Sequence, residues 1–205
     1  MKIVHIAALA AALCVAPPGH GQEPDHAIHE ELRALLRDVV GAIGAGEYDR
    51  ILPYLTENVE VTSITQEVMS GRADVSKYFV EWFGPTGYMK RMTMKLEADK
   101  LTDLAPDKSW GLVRGNALEH YEAKDGDVFD FVTRWTAVML RGDDGRWRIR
   151  AIHFGTNNLD NPVLTKVTKT LERYAVYAGL AGLAIGVLAG WLIARRRLRR
   201  TYPTL

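Results

Sequence analysis

The chain has 205 residues, 47% apolar and 25% charged, an ordinary globular composition that excludes a collagen-like, a disordered or a many-span membrane protein. Its net charge of +1 is unevenly spread: residues 22–194 carry twenty basic and twenty-five acidic side chains, a net of −5, while five arginines crowd the last eleven residues. An acidic body lacks the basic face that nucleic acid binding needs, and the single cysteine, Cys14, excludes an intrachain disulfide framework and a multi-cysteine zinc site.

Residues 1–21 read as a secretory signal peptide. Lys2 supplies the positive start, and the mostly apolar run from Ile3 to Ala16 follows. At ~21 Å as a helix, that run is too short to cross a ~30 Å hydrocarbon core. Gly19 and Gly21 suit cleavage after Gly21, with Ala16 the alternative, and either cut removes Cys14. Leu13 stands where a lipid-acceptor cysteine would want a small residue, so Cys14 reads as inert.

Asp25 is placed to cap a helix in which Ile28, Leu32, Leu35, Leu36, Val39, Val40 and Ile43 recur at helical spacing, ended by Gly44 and Gly46. A short second helix fits Glu47 to Leu55, limited by Pro53. Val59 to Thr65 is β-rich. A third helix, Arg72 to Phe83, follows Gly71, aligns Val75, Tyr78, Phe79, Trp82 and Phe83, and stops at Gly84-Pro85. From Met92 the apolar period becomes two, which predicts strands over 92–104, 109–123, 127–141 and 146–156. Asp125-Gly126 and Asp143-Asp144-Gly145 mark the turns of an antiparallel meander. Helices first and sheet second give an α+β fold. Gly155 to Thr170 reads as a linker.

Tyr174 to Ala194 is a run of 21 residues without a charge, ~31 Å as a helix and enough to span a bilayer. Tyr174, Tyr177 and Trp191 lie near its ends, where aromatic side chains favour the interface. Arg195, Arg196, Arg197, Arg199 and Arg200 follow, and the positive-inside rule puts them in the cytoplasm. Ala178, Gly182, Gly186 and Gly190 recur every four residues, a face on which two such helices can pack closely as a homodimer. The expected layout is a signal at 1–21, a domain at 22–160, a linker at 161–173, a transmembrane helix at 174–194 and a basic tail at 195–205. It corresponds to a single-pass protein of a bacterial inner membrane with its domain in the periplasm.

The order helix, helix, strand, helix, meander resembles the nuclear transport factor 2-like superfamily, which includes SnoaL-like and ketosteroid isomerase-like domains. Gly71-Arg-Ala-Asp-Val-Ser-Lys-Tyr-Phe79 is similar to that superfamily's third helix, and the run from Thr133 through Asp144-Gly145-Arg-Trp147 to His153 is similar to its last hairpin. The resemblance covers residues ~25–160. It implies a cone-shaped, curved antiparallel sheet closed by three N-terminal helices around a pocket. The superfamily includes isomerases, cyclases, dehydratases and members that only bind, so fold alone does not assign the activity.

His153 shares strand parity with Trp147, Ile149 and Ala151, which would turn it inward as a candidate acid–base group. Asp130 is the carboxylate inside strand 127–141 and shares a face with Arg134, which would hold it ionised. Tyr54, Tyr78 and Tyr88 are candidate pocket hydroxyls, and Trp82 and Trp135 candidate pocket walls beside Arg134. His120 and Glu122 share one face of strand 109–123 while Glu119 and Tyr121 share the other, and two ligands on one face do not make a metal site. No nucleophile elbow, phosphate loop or dinucleotide fingerprint is present, and no cofactor is expected. The first reading is a membrane-tethered domain that holds a small apolar ligand or a partner segment in its cone. The alternative is an isomerase, cyclase or dehydratase using His153 with Asp130 or a pocket tyrosine.

Overall fold

A computed structural model of the chain describes residues 25–201; the expected signal peptide and Cys14 lie outside the described residues. Helix α1, His26–Gly44, carries the predicted apolar stripe and buries Leu32, Leu35, Ala42 and Ile43. Asp25 stands at the cap position, but its backbone is left-handed and its carboxylate binds Lys108 instead of the helix. The expected second helix is a 3-10 helix, Tyr48–Tyr54, with Pro53 in its last turn. Tyr48 stacks flat on Phe79 of α2, Arg72–Phe83, with ring centroids 4.4 Å apart.

Seven strands follow the chain: β1 Leu55–Thr62, β2 Val68–Ser70, β3 Met89–Ala98, β4 Asp103–Leu104, β5 Trp110–Ala123, β6 Val128–Arg141 and β7 Trp147–Thr156. They form one sheet in the order β2-β1-β7-β6-β5-β3, with β4 paired to β5. The meander is antiparallel as expected, but β1 pairs with β7 in parallel, so the sheet is mixed. The physical reason is topological. β1 precedes α2 and the meander in the chain, and the last strand returns beside it in the same direction.

Two features curl the sheet around the helices. Gly115 on the inner face of β5 lies so close to β3 that a Cβ there would sit 1.9 Å from the Glu97 carbonyl oxygen. The second is a bulge: Met139 pairs with Ile149 while Val138 pairs with Ala151, which leaves Arg150 unpaired. The core lies between the inner sheet face and α1, the 3-10 helix and α2, and includes Val59, Phe79, Ala117, Trp135 and Trp147.

Helix α3, Pro162–Thr201, is one unbroken helix of 40 residues. Of the stretch read as a linker, Gly155 and Thr156 end β7 and the residues from Pro162 onward form the first turns of α3. Asn161 starts it by accepting the Leu164 backbone N–H at 3.0 Å. Lys166 secures those turns to the domain by an ion pair with Asp127 and by lying 5.4 Å from the Phe129 ring centroid. α3 is long and apolar enough over Pro162–Leu198 to cross a membrane, and it is the one such helix among the described residues.

Candidate ligand-binding site

Strand alternation divides β5 and β6 into two surfaces. Ala117, Glu119, Tyr121 and Ala123 face inward from β5, and Phe129, Thr133, Trp135 and Ala137 face inward from β6. The space they bound with the helices has two parts. An inner chamber of about 120 Å³ is walled by aliphatic side chains and by Tyr78, Phe79, Met92, Met94 and Phe154. An outer cleft of about 720 Å³ opens between α1 and the Ala98 end of β3. Leu35, Leu36, Leu96, Ile149 and Ile152 line both, so the two spaces adjoin.

The polar groups inside are few. Glu119 is only 3% exposed and lines the inner chamber. Its carboxyl accepts hydrogen bonds from the Tyr121 hydroxyl at 2.6 Å and the Thr133 hydroxyl at 2.5 Å. Burial pushes the Glu119 carboxyl above the ordinary carboxylate range, and the two hydrogen bonds act in the opposite direction. Burial also pushes the Tyr121 hydroxyl well above its usual range, and the adjoining Glu119 adds to the effect. The Tyr78 hydroxyl is pushed up to about 12, again chiefly by burial, with Ser63 and Thr65 hydroxyls beside it. In the outer cleft, His29 of α1 is 6% exposed, and Trp135 lines the same cleft and donates its indole N–H to the Asn116 carbonyl at 2.9 Å.

The residues singled out from sequence divide between this interior and the outside of the sheet. Tyr78 lines the inner chamber and Trp135 the cleft. Trp82 packs beside Tyr78 and donates its indole N–H to Glu67 at 3.0 Å. Tyr54 lies on another surface, where its hydroxyl donates to Asp38 at 2.8 Å, and the Tyr88 hydroxyl donates to Asp125 at 3.2 Å. His153 points outward, not inward. The bulge at Arg150 reverses strand parity, so Ile152 and Phe154 take the inner face and His153 sits exposed opposite Thr136 and Thr62. Asp130 is also on the outer face, its side chain 78% exposed. It pairs with His120 directly across the ladder at 2.7 Å and not with Arg134, which is held by Asp99 and Asn116 at 2.8 Å each. That contact raises the His120 imidazole above its usual range. Six residues of β6 separate Asp130 from the partner of His153, ~20 Å along the strand, so His153 and Asp130 do not converge. Among the described residues no three His, Cys, Asp or Glu side chains gather as a metal site.

Glu119, Thr133 and His29 were not among the residues singled out for a pocket. The parity that separates Glu119 and Tyr121 from His120 and Glu122 is legible in the sequence. Which of those faces is inner is marked there only by the flanking Ala117 and Ala123.

The sequence matches no family model and no curated protein. Solved structures do match its shape. A ketosteroid isomerase-like protein from Erwinia carotovora atroseptica superposes with a TM-score of 0.52 at 12% identity, over 62% of this chain and 95% of that one. A protein assigned provisionally as a scytalone dehydratase from Novosphingobium aromaticivorans gives 0.56 at 14% identity, over 64% and 85%. A nuclear transport factor 2-like superfamily protein from Salmonella enterica gives 0.52 at 14% identity, over 63% and 91%. The fold is nuclear transport factor 2-like. Identities this low carry the fold of the nuclear transport factor 2-like domain and no activity.

Proposed function

We propose that this protein is a membrane-anchored nuclear transport factor 2-like domain that binds a small, largely apolar molecule inside its cone. The observation that carries the reading is the interior itself: two adjoining apolar spaces with one buried carboxyl at the inner end. A plugged core would need no such chamber, and a buried carboxyl is costly to retain for packing alone. In this reading the domain lies outside the cytoplasm of a bacterial cell, the span includes Tyr174 to Ala194, and the arginines that follow lie inside. The small-residue face Ala178, Gly182, Gly186 and Gly190 is exposed on α3 and serves homodimer contact in the membrane. Native mass spectrometry of the full chain released from membranes tests the binding reading. A bound small molecule is the expected result; an empty cone that also takes up no apolar probe contradicts it.

One observation favours a second reading, acid–base catalysis. Glu119 combines burial, a raised proton affinity and a place inside the chamber, whereas His153 and Asp130 lie on the opposite surface. Isomerase- and dehydratase-type names occur among the proteins of similar shape. If a recovered molecule is turned over, Glu119→Gln should abolish the turnover and keep the binding.

A further inference from the structure

His29 is the one cleft-lining imidazole, and it is the unusual side chain of the apolar stripe on α1. It is 94% shielded, it lines the outer cleft, and its ring has no hydrogen-bond or ion-pair partner among the described residues. The other charged groups at the cleft are occupied. Arg33 binds Glu30 at 2.6 Å, Lys100 binds Asp103 at 2.9 Å, and Glu97 binds Lys95 at 2.6 Å. The two buried side-chain polar atoms without a partner among the described residues are Thr56 Oγ1 and the Trp147 indole nitrogen, so the His29 ring nitrogens are reached from the cleft and are open to a molecule held there.

We infer that His29 receives the carboxylate of an amphipathic monocarboxylic acid whose apolar tail runs inward to the chamber beside Glu119. The inference rests on the cone being a ligand site. Three features set the ligand class. The walls shared by the cleft and the chamber are aliphatic, which suits a chain or a fused apolar body. The inner chamber holds Glu119 and no cationic side chain, so a carboxylate there would be buried without a counter-charge; the acid therefore faces the cleft and the tail faces inward. The length of the combined space follows from the β3–β5 ladder: Glu119 in the chamber pairs with Met94, and Ala98, which lines the cleft, pairs with Gly115, four residues or ~13 Å along the strand. Decanoic acid has about that length.

The test uses the full chain in nanodiscs of zwitterionic lipid at pH 8, with equilibrium dialysis of labelled decanoic acid and decan-1-ol against empty discs. A hydrogen bond to a charged group predicts that decanoate binds roughly tenfold more tightly than decanol. His29→Leu should remove that preference while decanol binding stays unchanged. His29→Gln, which can still donate, should restore part of it, and thermal melts confirm that each variant is folded. A preference that survives in His29→Leu, or decanol and decanoate binding equally to the unmodified protein, overturns the role of His29 and leaves the cone reading intact. Failure of both probes to bind overturns the cone reading and this inference with it.

Discussion

Glu119 shows how one side chain couples the interior of this domain to pH. Its folded carboxyl is raised above the ordinary value of 4.5, first of all by burial. A raised carboxyl favours folding in its protonated form. That contribution is fully present below pH 4.5 and is lost as the pH climbs through the raised folded value. Glu119→Gln keeps the shape and cannot ionise. The melting temperature of the variant relative to the parent protein should therefore rise as the pH increases above 4.5, and thermal melts from pH 4 to pH 8 read this directly. A difference that stays constant across that range would mean that Glu119 is not buried as described. The exposed His120–Asp130 pair is a contrast, because solvent screens it on the outer face, where such pairs contribute little.

Among the elements, β5 carries the curvature and β7 the surprise. Gly115 has no space for a side chain, since a Cβ would overlap the backbone of Glu97 and Ala98. Gly115→Val should cost about 2–3 kcal/mol or more, as overpacking with backbone displacement does, and it should loosen the β3 edge first. Hydrogen exchange on the Glu97 and Asp99 amides, which lie on the β5 side of the ladder, together with a denaturant melt, checks both points. In β7 the alternation that places Trp147 and Ile149 inside holds only as far as Arg150. A single unpaired residue is enough to exchange the surfaces beyond it, because side chains alternate with a period of two. Helix α3 brings another element-level expectation. If its small-residue face holds two copies together, Gly186→Ile should reduce the signal of the isolated span in a membrane two-hybrid assay several-fold, and Val187→Ile should not.

The whole molecule is a cone held by one helix at one end. α3 rests on the β5–β6 turn through Lys166 and Asp127, whereas the cleft opens at the Ala98 end of the sheet. Ten residues of β5, from Val113 in the cleft to Ala123 at the turn, put ~33 Å between these points. In the binding reading proposed above, a ligand enters at the end of the domain opposite the first turns of α3. The orientation proposed for the chain has its own test. A reporter active only outside the cytoplasm should work when fused after Asn161 and fail when fused after Leu205. The reverse pattern would invert the topology and remove the periplasmic reading.

Local pattern was enough for most of the elements. The apolar stripe of α1, the Gly71 to Gly84 limits of α2, the Asp125-Gly126 turn and the uncharged run from Tyr174 to Ala194 all rest on interactions between near neighbours, and the chain displays these directly. They also sufficed for the resemblance that the shape comparison supports. Long-range packing decided the rest. β1 runs parallel to β7 because a crossover separates them, and the bulge at Arg150 arises where two long strands must bend together. That bulge put His153 outside. The inward turn of β5 put Glu119 inside, and α1 closing over the open end of the cone buried His29. Alternation along a strand states which residues share a surface. Only the helices packed on one side of the sheet determine which surface becomes the interior.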